Sequence, residues 1–355
     1  MAELADLEIG DMRTVYANYG NPAWKRAATS RQVSRLLDRL AENLAEGAIG
    51  IGLMVGYAPG VDPSKYVPIS ELAARTNTGT FTHARDLIDH SPNALIDGAL
   101  EIVAAADETG ARAHYCHVNS TSLQHLDRVL GLNEESPEPI TTEAYPYGAG
   151  STMISADFLA TSRLHERQLT PDKIVYTPTG ERSATPHTLE LRRTDADASV
   201  IVHLLDETVE HDRRIIDRAL TFPGTIVCSD AAPLMWSAER HDPQSWPPPA
   251  SLQVHRRTAG NYSKFYVRET PQMSMVEAVE RCSLGTARVP AGRRAGDAAQ
   301  GACPNRLRCR PGRVRPPGRV RPRDDHRPRH LPRRRSALNR VCGSVGGRPV
   351  GRHRR

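Results

Sequence analysis

The sequence predicts an α/β fold, an incomplete (β/α)8 barrel of the TIM type that is followed by a disordered basic tail. Between residues 30 and 145, short apolar or β-branched runs alternate with segments whose apolar residues have helical spacing. This alternation favours a parallel sheet covered by helices. About five β/α units can be counted, whereas a closed barrel of this type needs about eight.

The first predicted element is a helix at Ser30–Glu46, because its apolar residues have a period of 3.6 and Gly47 provides a stop. The apolar run at 48–55 then predicts a strand that ends in the turn-rich segment 56–60. The elements predicted after it are a helix at 69–74, a strand at 79–83, a helix at 93–106, a strand at 111–117, a helix at 121–130 and a strand at 139–145.

Residues 151–224 interrupt the alternation. They contain a polar stretch, a predicted strand at 200–204 and a predicted helix at 215–220, and we interpret the segment as an insertion over the barrel mouth. A strand at 225–230 and a helix at 274–282 resume the pattern. The predicted organisation is therefore a partial barrel over 1–289 and a tail over 290–355.

The tail differs sharply from the body in charge. It contains 20 Arg, no Lys, 3 Asp and no Glu, a net charge of +17, whereas the first 289 residues carry −11. It also holds 9 of the 27 Pro and no Phe, Trp, Tyr, Ile or Met, so it cannot form a core and is expected to be disordered. Three interpretations compete: nucleic-acid binding, a solvated linker, and G+C-rich codons translated out of frame. The abrupt change after Val289 favours the last.

The spacing of the cysteines and the hydropathy of the chain predict the cellular compartment of the protein. The six Cys show no disulfide-type or CxxC spacing, which fits a reducing environment. No apolar run approaches the roughly 20 residues of a membrane span, and the first residues lack the pattern of a signal peptide. The expectation is a cytoplasmic protein without a membrane partner.

Three side chains that can bind a metal or carry a proton end predicted strands: His83, His117 and Asp230. Catalytic groups gather at the carboxyl ends of strands in parallel α/β barrels. Two imidazoles and a carboxylate suit a zinc-assisted hydrolytic site. The alternative is that each residue is structural.

His114 competes with His117 as a ligand in the same strand. Because strand side chains alternate between faces, His114 is expected on the opposite face from His117, where it would cap or line the exterior. Cys116 and Cys228 are interpreted as small buried apolar residues.

Four segments carry a resemblance to a known family: Thr-His-Ala-Arg at 82–85, Cys-His-Val-Asn-Ser at 116–120, Thr-Glu-Ala-Tyr-Pro-Tyr-Gly-Ala-Gly-Ser-Thr at 142–152 and Cys-Ser-Asp-Ala at 228–231. Together they resemble the amidohydrolase superfamily. The most similar branch is the N-acyl-D-amino-acid deacylases, which include D-aminoacylases and N-acyl-D-glutamate deacylases. The resemblance extends over about 18–289.

This resemblance implies zinc-dependent hydrolysis of the amide bond of a small N-acyl-D-amino acid. It implies that His83 and His117 bind Zn²⁺ and that Asp230 is the general base toward water and then protonates the leaving amine. Residues matched to substrate-contacting positions are Tyr57, Tyr145, Ser151 and, as a clamp for the substrate carboxylate, Arg257.

The chain also departs from the family pattern. It has no His-x-His before Asn18 and no visible third ligand from an early strand. The barrel is therefore expected to be truncated at its start and frameshifted at its end, with weak or absent activity and poor solubility. Two other functions stay open, which are a hydantoinase-like hydrolysis of cyclic amides and nucleic-acid binding through the basic tail.

Overall fold

The computed structural model describes residues 28–196, 198–230 and 262–290. All of them fall in one compact unit. The tail beyond residue 290 and the predicted clamp Arg257 lie outside the described residues. Within the described ranges, no helix combines the length and the apolar character needed to cross a membrane.

The main sheet is parallel and has five strands. They are β1 (Ile51–Met54), β2 (Gly79–His83), β3 (Arg112–Tyr115), β4 (Ile140–Ala144) and β9 (Ile226–Val227), and they lie in the order β1-β2-β3-β4-β9. Sequential neighbours pair in register, so that Met54 lies beside His83 and Thr82 beside Tyr115. The carboxyl ends of the strands consequently meet at one edge.

Nine α-helices lie within the described ranges. They are α1 (Ser30–Glu46), α2 (Tyr66–Arg75), α3 (Gly98–Thr109), α4 (Val118–Ser122), α5 (Leu126–Glu135), α6 (Pro186–Arg193), α7 (Glu210–Thr221), α8 (Met275–Cys282) and α9 (Leu284–Arg288). The β/α alternation therefore produces the predicted α/β fold with a parallel sheet.

One face of the main sheet packs against its helices. On β3, Ala113 and Tyr115 point to this face and join a single cluster with Ile102 of α3 and Ile216 of α7. Ile102, Tyr115 and Ile216 are completely buried. At roughly 25 cal/mol per Å² of apolar surface, such burial is the main stabilising contribution to this layer.

A second, antiparallel sheet follows the main strands in the order β5-β8-β6-β7. Its strands are β5 (Ala149–Met153), β6 (Ile174–Tyr176), β7 (Glu181–Arg182) and β8 (Ser199–His203). It has its own core, in which Leu159, Ile174 and Val200 are buried. The strands of this sheet lie almost entirely within the segment 151–224, where the sequence predicts a break in the β/α alternation. Helix α7 of the same segment packs with the core of the main sheet and not with the core of the antiparallel sheet.

The helix predicted at 121–130 is two helices, α4 and α5. The break lies at Leu123, which has φ +47° and cannot continue a right-handed helix. The helix predicted at 93–106 begins only at Gly98, because the Asp97 carboxylate accepts hydrogen bonds from the backbone N–H groups of Ala99 and Leu100.

Candidate active site

His83 and His117 lie next to each other at the carboxyl edge of the main sheet. The centroids of their rings are 4.6 Å apart with the planes inclined at 65°, and the Tyr57 ring is 4.6 Å from that of His83. Burial, followed by the charges of His117 and Arg167, holds the pKa of His83 well below its usual value. His83 is thus neutral at neutral pH, the form in which an imidazole binds a metal.

The position of the His83 ring depends on Gly56. A Cβ atom built on Gly56 would lie 2.7 Å from His83 Nε2, and it would also overlap the Ala84 carbonyl oxygen. Glycine is required here because any side chain would displace the imidazole.

On the expectation from the sequence that His83 binds Zn²⁺, Gly56→Ala should weaken that binding by at least about tenfold, because a displaced ligand costs roughly that much affinity. Isothermal titration of the metal-free protein measures this change. Gly52→Ala is the matched control, since the space beyond Gly52 on β1 is open. Equal Zn²⁺ affinity of Gly56→Ala and Gly52→Ala would contradict the expectation.

His117 leaves the strand with a left-handed backbone, φ +33°, and directly precedes α4. The Ser120 hydroxyl lies 3.0 Å from His117 Nδ1 and 3.0 Å from the His117 carbonyl oxygen. When this hydroxyl donates to the carbonyl, its oxygen accepts the Nδ1 proton and leaves the Nε2 lone pair available. A hydrogen bond of this kind orients many metal-binding histidines.

Asp230 follows β9 with φ +44°. Burial raises the pKa of its carboxyl group, and the Glu143 charge acts in the same direction against the opposing effect of His117. The preceding residue is held in place because Tyr147 Oη donates a hydrogen bond to the Ser229 carbonyl oxygen. Asp230 is therefore a carboxylate that binds a proton more tightly than an exposed aspartate does.

The antiparallel sheet forms the opposite wall of the same cavity. Tyr57 Oη and Thr152 Oγ1 are 2.8 Å apart, and Ser151 lines the cavity beside them. Tyr145 lies at its base, where Asn119 holds the Tyr145 backbone by two hydrogen bonds of 3.1 and 3.3 Å. The cavity has a volume of about 30 Å³, enough for an ion or a water molecule.

Arg167 also lines this cavity, and it was not among the sequence candidates. Its guanidinium group forms an ion pair with Asp86 and lies 4.4 Å from the centroid of the Phe158 ring. Arg163 pairs with the other Asp86 oxygen at 2.7 Å. Arg167 ends a short 3-10 helix, Leu164–Arg167, in the 151–224 region, and so short an element has no periodic pattern that could have indicated its position.

The Asp86 ion pairs predict a dependence of stability on pH. Burial opposes ionisation, but Arg167 and Arg163 outweigh it and lower the pKa of Asp86 to about 2 from 3.8. The stabilisation is present above about pH 4 and is lost as the pH falls toward 2, and the shift corresponds to about 2 kcal/mol. Between pH 5 and pH 2, we expect the free energy of unfolding, measured in urea, to fall by about 2 kcal/mol more in the wild type than in Asp86→Asn. If the free energies of unfolding of the two proteins changed in parallel with pH, this expectation would be wrong.

The expectation that His114 lines the exterior was wrong. His114 is buried, and its Nε2 lies 3.3 Å from Glu143 Oε2. The reason is that neighbouring strands cover it, because the His114 ring lies 5.4 Å from the ring of Phe81 on β2 and beside Glu143 on β4. Cys116 is half-buried and lies among polar groups, not in an apolar core.

The structure brings together six of the seven predicted site residues around one cavity: Tyr57, His83, His117, Tyr145, Ser151 and Asp230. The seventh, Arg257, lies outside the described residues. The arrangement offers two imidazoles for a metal, a carboxylate for proton transfer and several hydroxyl groups for a polar ligand.

Solved structures with this fold include a D-aminoacylase that defines a subset of amidohydrolases, at a TM-score of 0.58 and 20% identity over 81% of this chain and 56% of that chain. A D-aminoacylase structure that addresses the role of its binuclear metal centre has the same values. N-acyl-D-glutamate deacylase from Bordetella bronchiseptica, complexed with zinc and a phosphonate mimic of the tetrahedral intermediate, has a TM-score of 0.53 and 21% identity over 78% of this chain and 55% of that chain.

These neighbours are the same two kinds of amidohydrolase that the sequence motifs resemble, and they confirm the predicted fold class. The chain spans little more than half the length of each. No protein-family model and no curated protein sequence matches the chain.

Proposed function

We propose that the chain carries the active site of a zinc-dependent amidohydrolase that cleaves the amide bond of N-acyl-D-amino acids. The observation that carries this proposal is that His83, His117 and Asp230 line one cavity, at or just beyond the carboxyl ends of β2, β3 and β9 of the same parallel sheet. The fold shared with D-aminoacylase and N-acyl-D-glutamate deacylase supports it.

The residues present fit a metal ion. His83 is held neutral by burial, and His117 has its Nδ1 engaged by Ser120, so each ring can offer a lone pair. A Zn²⁺ ion bound by these two residues would supply Lewis-acid polarisation of the scissile carbonyl group. Asp230 lies beside them in the same cavity.

Asp230 performs the proton transfers. It accepts a proton from the attacking water as the new C–O bond forms, and it donates that proton to the nitrogen as the C–N bond breaks. The products are a carboxylate and a D-amino acid. Burial, by raising the pKa of Asp230, makes it a stronger base than an exposed aspartate.

The remaining wall of the cavity presents polar groups that suit the polar end of an acyl-amino acid. Ser151 and the Tyr57–Thr152 pair present hydroxyl groups, and Arg167 adds a positive charge. These groups can hold the acyl oxygen or the carboxylate of a substrate. Recognition of the carboxylate by Arg257 is part of the proposal.

A panel of N-acetyl-D- and N-acetyl-L-amino acids, including N-acetyl-D-glutamate, tests the proposal on the full chain reconstituted with Zn²⁺. We expect slow hydrolysis of the D-compounds above the rate in buffer, its loss on chelation and no hydrolysis of the L-compounds. Absence of turnover on every D-compound, or equal rates on both enantiomers, would overturn it. Dihydrouracil and hydantoin in the same panel test the cyclic-amide alternative.

A further inference from the structure

We propose that the chain has a second divalent-cation site, formed by His114, Cys116 and Glu143, which shares no ligand with the His83–His117 pair. Among the described residues, the imidazole nitrogen, the thiol sulfur and a carboxylate oxygen of these three residues all lie within 4.8 Å of one another. The combination of nitrogen, sulfur and oxygen donors suits a borderline-soft cation of the Zn²⁺ or Co²⁺ class.

The backbone explains why these side chains meet. His114 and Cys116 are two residues apart along β3 and its extension, so they point to the same side of the sheet. His114 pairs with Thr141 in the register of β3 and β4, and Glu143 lies two residues further along β4 on the same side. The three donors are therefore held by two adjacent strands, which position ligands more rigidly than loops do.

Both ring nitrogens of His114 have a polar neighbour. Nδ1 lies 2.8 Å from the Thr141 hydroxyl oxygen, and Nε2 faces the Glu143 carboxylate at 3.3 Å. In the tautomer that carries its proton on Nδ1, this nitrogen donates to Thr141, and Nε2 and the carboxylate oxygen are two acceptors that a cation can bridge. A histidine whose other nitrogen is anchored by an oxygen is the usual arrangement of a metal ligand.

Distance and charge are both compatible with a bound metal. Tetrahedral zinc with ligand bonds of 2.0–2.3 Å separates its donor atoms by roughly 3.3–3.8 Å, so a small rotation of the side chains closes the site. The Glu143 carboxylate and a Cys116 thiolate, whose proton passes to solvent, balance the two positive charges of the cation. A partly buried site that is neutral overall avoids the cost of an unpaired charge.

One of the three proposed ligands also borders a cavity other than the candidate active site. His114 also lines a separate cavity of about 520 Å³ at the amino ends of the strands, bounded by Arg112, Thr225 and helices α8 and α9. The His83–His117 cavity lies at the opposite ends of the same strands.

Titration of the metal-free full chain with Co²⁺ tests the proposal, because a cobalt–thiolate bond produces a charge-transfer band in the near ultraviolet that imidazole and carboxylate ligands do not. We expect the wild type to show the band and Cys116→Ser to lose it. We expect Glu143→Gln to weaken Co²⁺ binding at least about tenfold. Cys228→Ser is the matched control, since Cys228 is a thiol near the same carboxylate and is expected to keep the band.

The outcome is independent of the proposed hydrolysis. His83→Asn with His117→Asn should abolish turnover and leave the charge-transfer band unchanged, so failure of either proposal is recognised separately. No band in the wild type, a band that persists in Cys116→Ser, or a band that disappears with His83→Asn and His117→Asn would each overturn the second site. Far-ultraviolet circular dichroism establishes that each variant is folded, and the wild-type titration decides the question even if one variant is not.

Discussion

Asp230→Asn is expected to lower kcat/KM for an N-acyl-D-amino acid by about 10²- to 10⁴-fold, the usual contribution of a general base. The amide is nearly isosteric with the carboxylate, but it cannot accept the proton of the attacking water. Asp230 is the carboxylate that shares the cavity with both imidazoles. The measurement is steady-state hydrolysis by the Zn²⁺-reconstituted protein.

A matched control separates this effect from a change in folding. Asp38 is an exposed aspartate of α1, and Asp38→Asn should leave kcat/KM unchanged. Zn²⁺ content should be equal in both variants, because the imidazole ligands remain. If Asp230→Asn retained wild-type turnover, the role assigned to Asp230 would be wrong.

Glu101→Gln is expected to reduce the free energy of unfolding by about 3–5 kcal/mol, because it leaves the buried Arg85 charge without its partner. Glu101 accepts hydrogen bonds from Arg85 Nε at 3.0 Å and Nη2 at 2.8 Å. The two side chains are 4% and 1% exposed, so water cannot replace the lost contact. Chemical denaturation in urea measures the change.

The exposed pair of Arg39 and Glu42 on α1 is the control, with side chains 62% and 63% exposed. Glu42→Gln should cost less than about 1 kcal/mol. Combining Glu101→Leu with Arg85→Met should recover much of the loss, since apolar residues remove the unpaired charge. If Glu101→Gln and Glu42→Gln lowered the free energy of unfolding equally, burial of the ion pair would not determine how much its loss destabilises the protein.

Local sequence signals predicted several elements well. The helix predicted at Ser30–Glu46 has these bounds in the structure, because Thr29 and Gln32 form a capping box at its start and Gly47 ends it. The strand predicted at 79–83 is β2. In both cases the information lies within a few residues of the element.

The residues of the candidate site that stand at the ends of strands could be predicted from the sequence. His83, His117 and Asp230 each end an apolar run, and parallel strands bring such ends to one edge. Arg167 could not be found in this way, because its position depends on ion pairing with Asp86, 81 residues away in the sequence. The burial of His114 was also missed, since it depends on Phe81 and Glu143 of the neighbouring strands.

The order of strands and helices can be predicted from the amino-acid sequence, and so can the residue types that bind a metal or transfer a proton. These properties follow from periodicity and side-chain chemistry, which are local. Which of those residues share a cavity, and which carboxylate faces His114, is visible only in the folded protein. These outcomes depend on the register between strands and on the packing of the antiparallel sheet over the strand ends, and contacts between distant residues leave no local pattern in the chain.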